Sequence, residues 1–432
     1  MIDKIFEYLQ KSPSPYHAAA TAAAWLDAAG YTRLEEADFW NLEPGKGYYI
    51  TRNNSAVIAW RVPAHAIGGW RITASHSDSP SWKIKTDTVE NDGSRRLSVE
   101  GYGGMIMSTW LDRPLTVAGR VMLRTADGLQ TRLVHLDRDL LVIPSLAIHM
   151  QRDINKGHAY NPQVDMQPLW GPAGSRTLTD LIAEELGVAA QDILDTDLQL
   201  VTRQAPCFVG PDREYFMAPR IDDLECAAAT LLAFLDAAPD CDSNCAPVWA
   251  LLDNEEVGSG TRQGAASRFV RDVLDRILDA VPHSAQAMHR AMANSFLLSA
   301  DNAHATHPNF AAKSDPCAPV RLGGGVVLKY NASQKYTTNA ISGAVFRAVC
   351  EKADVPVQVF TNRADEPGGS TLGNLQSQTL PIPMADIGCA QLAMHSAVET
   401  AAVADAEAMV NAVAAYYRVH LRALADGTYT LE

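Results

Sequence analysis

Apolar side chains recur at helical spacing in residues 1–30: Ile5 and Leu9, then Ala18, Ala22, Trp25 and Leu26. That period predicts helices. The turn Ser12-Pro13-Ser14-Pro15 interrupts them and Gly30 stops them. Short runs rich in β-branched and aromatic residues follow at 47–50, 55–62 and 70–74 and predict strands. Near residue 87 the pattern changes. Residues 116–124 and 131–136 alternate apolar with polar, as strands of an antiparallel sheet with one wet face do. A helix is predicted over 177–186, with Thr177 as N-cap, Asp180 three residues on, and Gly187 as its stop.

After residue 215 the earlier pattern returns. Mostly apolar short runs at 248–252, 296–299, 325–329, 357–361 and 381–387 alternate with helical segments at 225–235, 266–280 and 341–353. A long final helix is predicted over 400–424. Strands buried on both faces and separated by helices describe an α/β layered domain. The expected organisation is therefore one α/β domain, residues 1–86 and 216–432, interrupted by a β-rich insertion at 87–215. No repeat of 20–50 residues and no low-complexity stretch alters that reading.

Composition narrows the function classes. The chain has 432 residues, and its length suits more than one domain. Its net charge of −14 disfavours nucleic acid and anionic membranes as partners. Seven cysteines form no Cys-x-x-Cys pair, so free thiols in a reducing compartment are expected. The first residues carry acidic side chains and no long apolar core, unlike a secretory signal. No apolar stretch reaches the roughly 20 residues that span a bilayer. A cytoplasmic protein is expected.

The candidate chemistry lies where acidic residues and histidines follow apolar strands. His76 and Asp78 follow 70–74, Glu255 and Glu256 follow 248–252, and Asp301 follows 296–299. Asp222 and Asp223 precede a helix, and His395 lies downstream of 381–387. In open α/β sheets, ligands bind beyond the carboxyl ends of strands, so these positions could share one edge. A hydrolytic two-metal site needs such a set. A carboxylate bridges the ions, histidines and further carboxylates complete their coordination, and a free glutamate takes the proton of the attacking water. Asp222 suits the bridge. Of the adjacent Glu255 and Glu256, one could be base and the other ligand. Asp78 suits a partner that fixes the tautomer of His76. Asp301 and His395 would complete the two coordination spheres. Alone, each piece has a plainer use; Asp222-Asp223, for instance, would also cap a helix.

Taken in order, the motifs are specific. Ser12-Pro13-Ser14-Pro15-Tyr16-His17, Ser75-His76-Ser77-Asp78-Ser79-Pro80, Ile143-Pro144-Ser145-Leu146-Ala147-Ile148-His149, Ile221-Asp222-Asp223-Leu224, Asp253-Asn254-Glu255-Glu256-Val257-Gly258-Ser259, Ser299-Ala300-Asp301-Asn302-Ala303-His304 and Gln391-Leu392-Ala393-Met394-His395-Ser396 run almost end to end. In these the chain resembles the aspartyl aminopeptidases, a family of metallopeptidases. The resemblance implies a mixed-sheet α/β/α metallopeptidase domain interrupted by a β-rich dimerisation domain, and two zinc ions per subunit. His76, Asp222 and Asp301 would hold one zinc, and Asp222, Glu256 and His395 the other. Glu255 would be the general base, with Asp78 orienting His76. Lys329 matches a lysine that faces the acidic side chain of the substrate, and His149 matches a histidine of the interface domain that reaches a neighbouring subunit's active site. Peptide substrates, dimers and a closed dodecameric shell follow from the same resemblance. Asp223 and Ser77 depart from the residues common in relatives, where Asn and Thr stand, and leave fine substrate preference open.

Two other readings compete. One is a related dimetal amide hydrolase or an aminopeptidase of neutral specificity. The other is a catalytically silent assembly protein of the same fold, which loss of a ligand or of Glu255 would favour; all are present.

Overall fold

The computed structural model describes residues 1–241 and 244–432. Its largest element is a nine-stranded mixed sheet. In spatial order the strands are Thr32–Arg33, Gly47–Arg52, Ala56–Arg61, Cys245–Leu252, Gly69–His76, Phe296–Ala300, Met384–Gly388, Val326–Tyr330 and Val357–Thr361. The four central strands, Cys245–Leu252 to Met384–Gly388, are mutually parallel, so their carboxyl ends share one edge. Val326–Tyr330 runs antiparallel to Met384–Gly388, with Lys329 opposite Asp386.

Side chains alternate across a strand, and the central strands bury both faces. Trp249 and Leu251 pack into the core beneath helices Ile2–Lys11, Pro15–Ala28, Ile221–Ala237, Ala340–Lys352 and Val403–Arg418. Val248, Ala250 and Leu252 pack against the opposite layer, built around helices Phe269–Asp279 and Ala287–Ala293. Each such aliphatic side chain contributes roughly 1.5–3 kcal/mol on burial. The sheet is thereby clamped between two helical layers, a rigid base for side chains at its edge.

A six-stranded antiparallel sheet leaves this domain after His76 and is built from strands between Ser81 and Thr202. It carries its own core, including Trp82, Trp110, Val117 and Leu198. The helix Leu178–Leu186 packs on it, with a Thr177–Asp180 capping box and Gly187 in the left-handed region. Strands Cys207–Val209 and Tyr215–Ala218, which straddle the expected limit at 215, belong elsewhere. They join Glu399–Ala402, Ala390–Leu392 and Ala303–His304 in a five-stranded sheet.

The final helix is shorter than the apolar period suggested. It covers Val403–Arg418, and the remainder of 400–424 is extended. Leu421–Ala425 and Thr428–Leu431 form a hairpin around Asp426-Gly427. Asp-Gly between two strands is a two-residue turn signal; the helical reading stopped short of it but ran into the strand Leu421–Ala425 that it closes. Among the described residues, no helix is long and apolar enough to cross a membrane.

Candidate active site

The parallel strands deliver the candidate residues to one edge. His76 ends Gly69–His76, and its register partner Leu252 ends the neighbouring strand. Glu255 and Glu256 follow in the short turn Glu255–Val257, entered through Asn254 with φ 64°. Asp301 directly follows Phe296–Ala300. Asp222 opens the helix Ile221–Ala237, but its ψ of 112° is not helical, so the helix proper begins later. His395 lies in the turn between Ala390–Leu392 and Glu399–Ala402, with φ 67°.

The Asp222 carboxylate lies between the two histidines. Its Oδ1 is 3.5 Å from His76 Nε2, and its Oδ2 is 3.3 Å from His395 Nε2. Glu256 Oε2 is 3.4 Å from the same His395 nitrogen. Potential ligand atoms of His76, Asp222 and Asp301 fall within 4.8 Å of one another, as do those of Asp222, Glu256 and His395. A third overlapping group joins His76 with Glu255 and Glu256. Each imidazole is fixed through its other nitrogen. His76 Nδ1 is 2.9 Å from the Asp78 carbonyl, and His395 Nδ1 is 2.9 Å from the Gly104 carbonyl. Both leave Nε2 toward Asp222.

The Asp78 carboxylate has a further task. It is 3.4 Å from His76 Nδ1, but it accepts closer hydrogen bonds from the backbone N–H groups of Glu255 (3.1 Å) and Glu256 (3.2 Å) and from Tyr102 Oη (2.7 Å). Asp78 therefore pins the glutamate loop as well as facing the imidazole.

Burial and charge set the proton affinities. Burial raises the Glu255 pKa; His76 opposes this and Asp301 adds to it, leaving the carboxyl pushed up to about 8. Burial also holds Glu256 well above its ordinary value. Burial alone would raise Asp222, but contacts with His395 and His76 outweigh it and hold that carboxyl below the usual range. His395 is pushed up to about 10: burial opposes its charge, and Asp222 and Glu256 prevail. Asp222 Oδ1 and Glu256 Oε1 are buried and lack hydrogen-bond partners. Such oxygens call for a cation or water, and the imidazole and carboxylate donors suit zinc.

The cluster opens into a cavity of about 520 Å³ that also exposes Lys329, Tyr336 and His304. Lys329 Nζ donates to the carbonyls of Asp301 (2.6 Å) and Asn302 (3.2 Å) and lies 3.7 Å from Asp301 Oδ1. Burial opposes its charge, but Asp301 outweighs that and raises its pKa.

A buried set of metal donors at the edge of this fold has clear counterparts. Residues 8–417 match the family model described as aminopeptidase I zinc metalloprotease (M18). The chain belongs to the M18 family. It is a zinc metalloaminopeptidase, a hydrolase, and the aspartyl aminopeptidases are members of the same family. A probable M18 family aminopeptidase 2 of Clostridium novyi is 40% identical over 414 residues, 93% of this chain and 95% of that protein. The mApe1 structure of Chaetomium thermophilum is 29% identical, with TM-score 0.85, covering 95% of this chain and 96% of that one. The mApe1 dodecamer of S. cerevisiae is 25% identical, with TM-score 0.86, covering 96% of both chains.

His76, Asp222, Glu255, Glu256, Asp301, Lys329 and His395 thus share the aminopeptidase's cavity, and Asp78 lies beneath its glutamate loop. His149 does not line it; it is exposed in a turn of the insertion. Three supporting residues, Glu399, Tyr102 and Gly104, were not named from the sequence, and Asp223 was named without this role. Glu399 accepts the backbone N–H groups of both Asp222 (3.1 Å) and His395 (2.7 Å). Asp223 accepts that of His76 at 3.0 Å. Tyr102 and Gly104 reach in from the insertion. A lone glutamate four residues beyond His395, or a tyrosine far along the chain, carries no signal of its own. Only Asp223, beside Asp222, stood in a motif.

Proposed function

We propose that this M18 aminopeptidase uses two zinc ions per subunit to remove acidic residues, Asp or Glu, from the N-termini of peptides. The supporting observation is the Asp222 carboxylate, which offers one oxygen toward His76 and the other toward His395. His76, Asp222 and Asp301 would hold one ion, and Asp222, Glu256 and His395 the other. Bound zinc supplies Lewis acidity, polarising the scissile carbonyl and acidifying a water. Glu255 takes the water's proton on its carboxylate and returns it to the leaving amine. Asp78 holds the glutamate loop and the His76 ring in register for that transfer. Lys329 has spent two of its three N–H donors on carbonyls. The third, beyond hydrogen-bond distance of Asp301 Oδ1 at 3.7 Å, would turn to a substrate carboxylate at the cavity wall and so select an acidic side chain.

The wider reading follows the same relatives. The S. cerevisiae mApe1 is a dodecamer, and we assign this chain a comparable shell, with the β-rich insertion as the dimer contact and His149 entering a neighbour's site. No disulfide joins cysteines among the described residues, which fits the reducing compartment we assign to this chain.

Zinc analysis beside a panel of chromogenic amino-acid amides tests the proposal. We expect two zinc ions per chain, chelator-sensitive release of Asp and Glu, and little release of neutral residues. Lys329→Met should lower kcat/KM on acidic substrates about ten-fold or more relative to neutral ones. An equal loss on all substrates would remove Lys329 from specificity, and a single zinc would remove the bridge.

A further inference from the structure

The edge of the central sheet opposite the active site carries a second cavity. It holds about 760 Å³ and is lined by Gly68, Gly69 and Arg71 at the start of the strand Gly69–His76, and by His283, Arg290 and Arg422 among others. Arg71 and His76 lie on one strand five residues apart, roughly 17 Å along it. The two cavities therefore open at opposite ends of the sheet.

Arg71 is the unusual member. It is 2% exposed. Its Nη1 donates to the carbonyls of Trp70 (3.2 Å) and Asn294 (2.9 Å), and its Nη2 donates to the carbonyl of Leu421. Its Nε is buried and has no partner. Among the described residues, no carboxylate lines the cavity. Asp279 lies 3.7 Å from His283 Nε2 but is not part of the wall. Among the described residues the buried Arg71 guanidinium is held only by neutral carbonyls, and a buried charge without a countercharge is strongly unfavourable. Arg290 and Arg422, both exposed, add two more positive charges to the same cavity in a chain of net charge −14. The arrangement concentrates positive potential where the rest of the molecule is acidic.

We propose that this cavity binds a small organic phosphate. Guanidinium groups present forked donors that match phosphate oxygens; Arg290 and Arg422 line the same cavity as Arg71, whose unpartnered donor is Nε. The cavity's volume lies within the range of small-molecule sites and exceeds what a free phosphate ion fills. Ile67, Leu278 and Leu421 supply apolar wall for the organic part. The phosphate supplies Arg71 with a countercharge that no described residue of the cavity wall provides, and the exposed arginines draw it in.

Replacing Arg71 endangers folding, so the test uses the two exposed arginines. The zinc-loaded full chain is titrated calorimetrically with adenosine 5′-monophosphate, inorganic phosphate and adenosine, beside an Arg290→Ala/Arg422→Ala variant. Peptidase activity reports that the variant is folded, and any phosphate held at the zinc site is common to both proteins. The expected result is saturable binding of the nucleotide, weakened about ten-fold or more in the variant, with adenosine not bound. Saturable binding of inorganic phosphate with the same loss would confirm the anion site and identify the free ion as a ligand. Three results overturn the proposal. One is no saturable binding up to about 10 mM. Another is binding unchanged in the variant. The third is a variant that only alters oligomer size, which would make the cavity a contact between copies.

Discussion

The α/β domain buries apolar side chains on both faces of its sheet, whereas the insertion leaves a group of its own in solvent. Leu146, Ile148 and Met150 are 54%, 48% and 75% exposed, beside His149. Yet the insertion is not peripheral to the chemistry. Tyr102 Oη reaches the Asp78 carboxylate, and the Gly104 carbonyl fixes the ring of His395. The candidate site residues are thus presented by the α/β domain, and two of them are held by contacts from the insertion. Contiguous exposed apolar side chains mark interaction surfaces. With the dimer contact proposed above, alignment of the site and assembly of copies would run through the same region.

The largest effects belong to the α/β edge. Glu255→Gln should retain zinc and fold while kcat drops about 10²–10⁴-fold. Asp222→Ala should lose zinc as well as activity, because two cations would be left without the shared carboxylate. Metal analysis with steady-state kinetics separates the two. Full activity of the first, or full zinc in the second, would dissolve the assignment of chemistry to this edge.

Next comes the insertion's open surface. Met150→Glu places a charge among exposed apolar side chains. Burying such a side chain contributes roughly 1.5–3 kcal/mol, so association should weaken by at least about ten-fold. Sedimentation should show smaller species, with zinc retained and activity reduced if His149 serves a neighbour. A fully active monomer would sink the shared site.

A smaller change tests the link between the regions. Tyr102→Phe removes only a hydroxyl that donates to Asp78 and accepts from Asn254 Nδ2 at 2.8 Å. Hydrogen-bond partners one step removed from metal ligands typically govern activity by about 10–100-fold. We expect a loss near the lower end of that range, in kcat rather than KM, with oligomer size unchanged. Wild-type kcat would mean that the insertion contributes no alignment through this contact.

Much of this site was legible before any coordinates. His76, Glu255, Glu256 and Asp301 stand just past apolar runs that proved to be parallel strands, and the placement of ligands at carboxyl ends follows from that topology. The capping box at Thr177 was equally legible because it is local. Glu399 was not. It matters because Asp222 and His395, 173 residues apart in the chain, both donate to it. The small five-stranded sheet was missed for the same reason: its strands have two to four residues and pair across the chain. Periodicity reports what a segment buries and is silent on which distant segment it meets. The C-terminal hairpin failed differently, since the apolar period carried the expected helix to residue 424, into the strand Leu421–Ala425 that the readable Asp426-Gly427 turn closes.

The junction between the two regions contains a second pair of histidines, and it behaves oppositely to His76 and His395. His17, on helix Pro15–Ala28, meets His135 at the end of strand Gly128–His135, with ring centroids 6.1 Å apart. Burial, the His135 ring and Arg220 lower the His17 pKa to about 4. Burial, Arg220 and Arg203 bring His135 to about 4 as well, against a small opposing contribution from Glu185. In the folded chain both rings stay neutral until about pH 4, whereas unfolded they take up a proton near 6.5. Between those values the unfolded state binds more protons. Stability therefore falls as pH drops from 6.5 toward 4, and this contribution is constant above the window. Carboxylates titrate in the same range, so the informative quantity is a difference. His135→Asn should flatten the pH dependence of unfolding free energy between 6.5 and 4 relative to wild type, by at most a few kcal/mol at the acid end. Denaturant unfolding at a series of pH values measures it. Parallel curves for the two proteins would show that the junction histidine is not held neutral, and that the two regions are not joined by a buried, acid-sensitive seam.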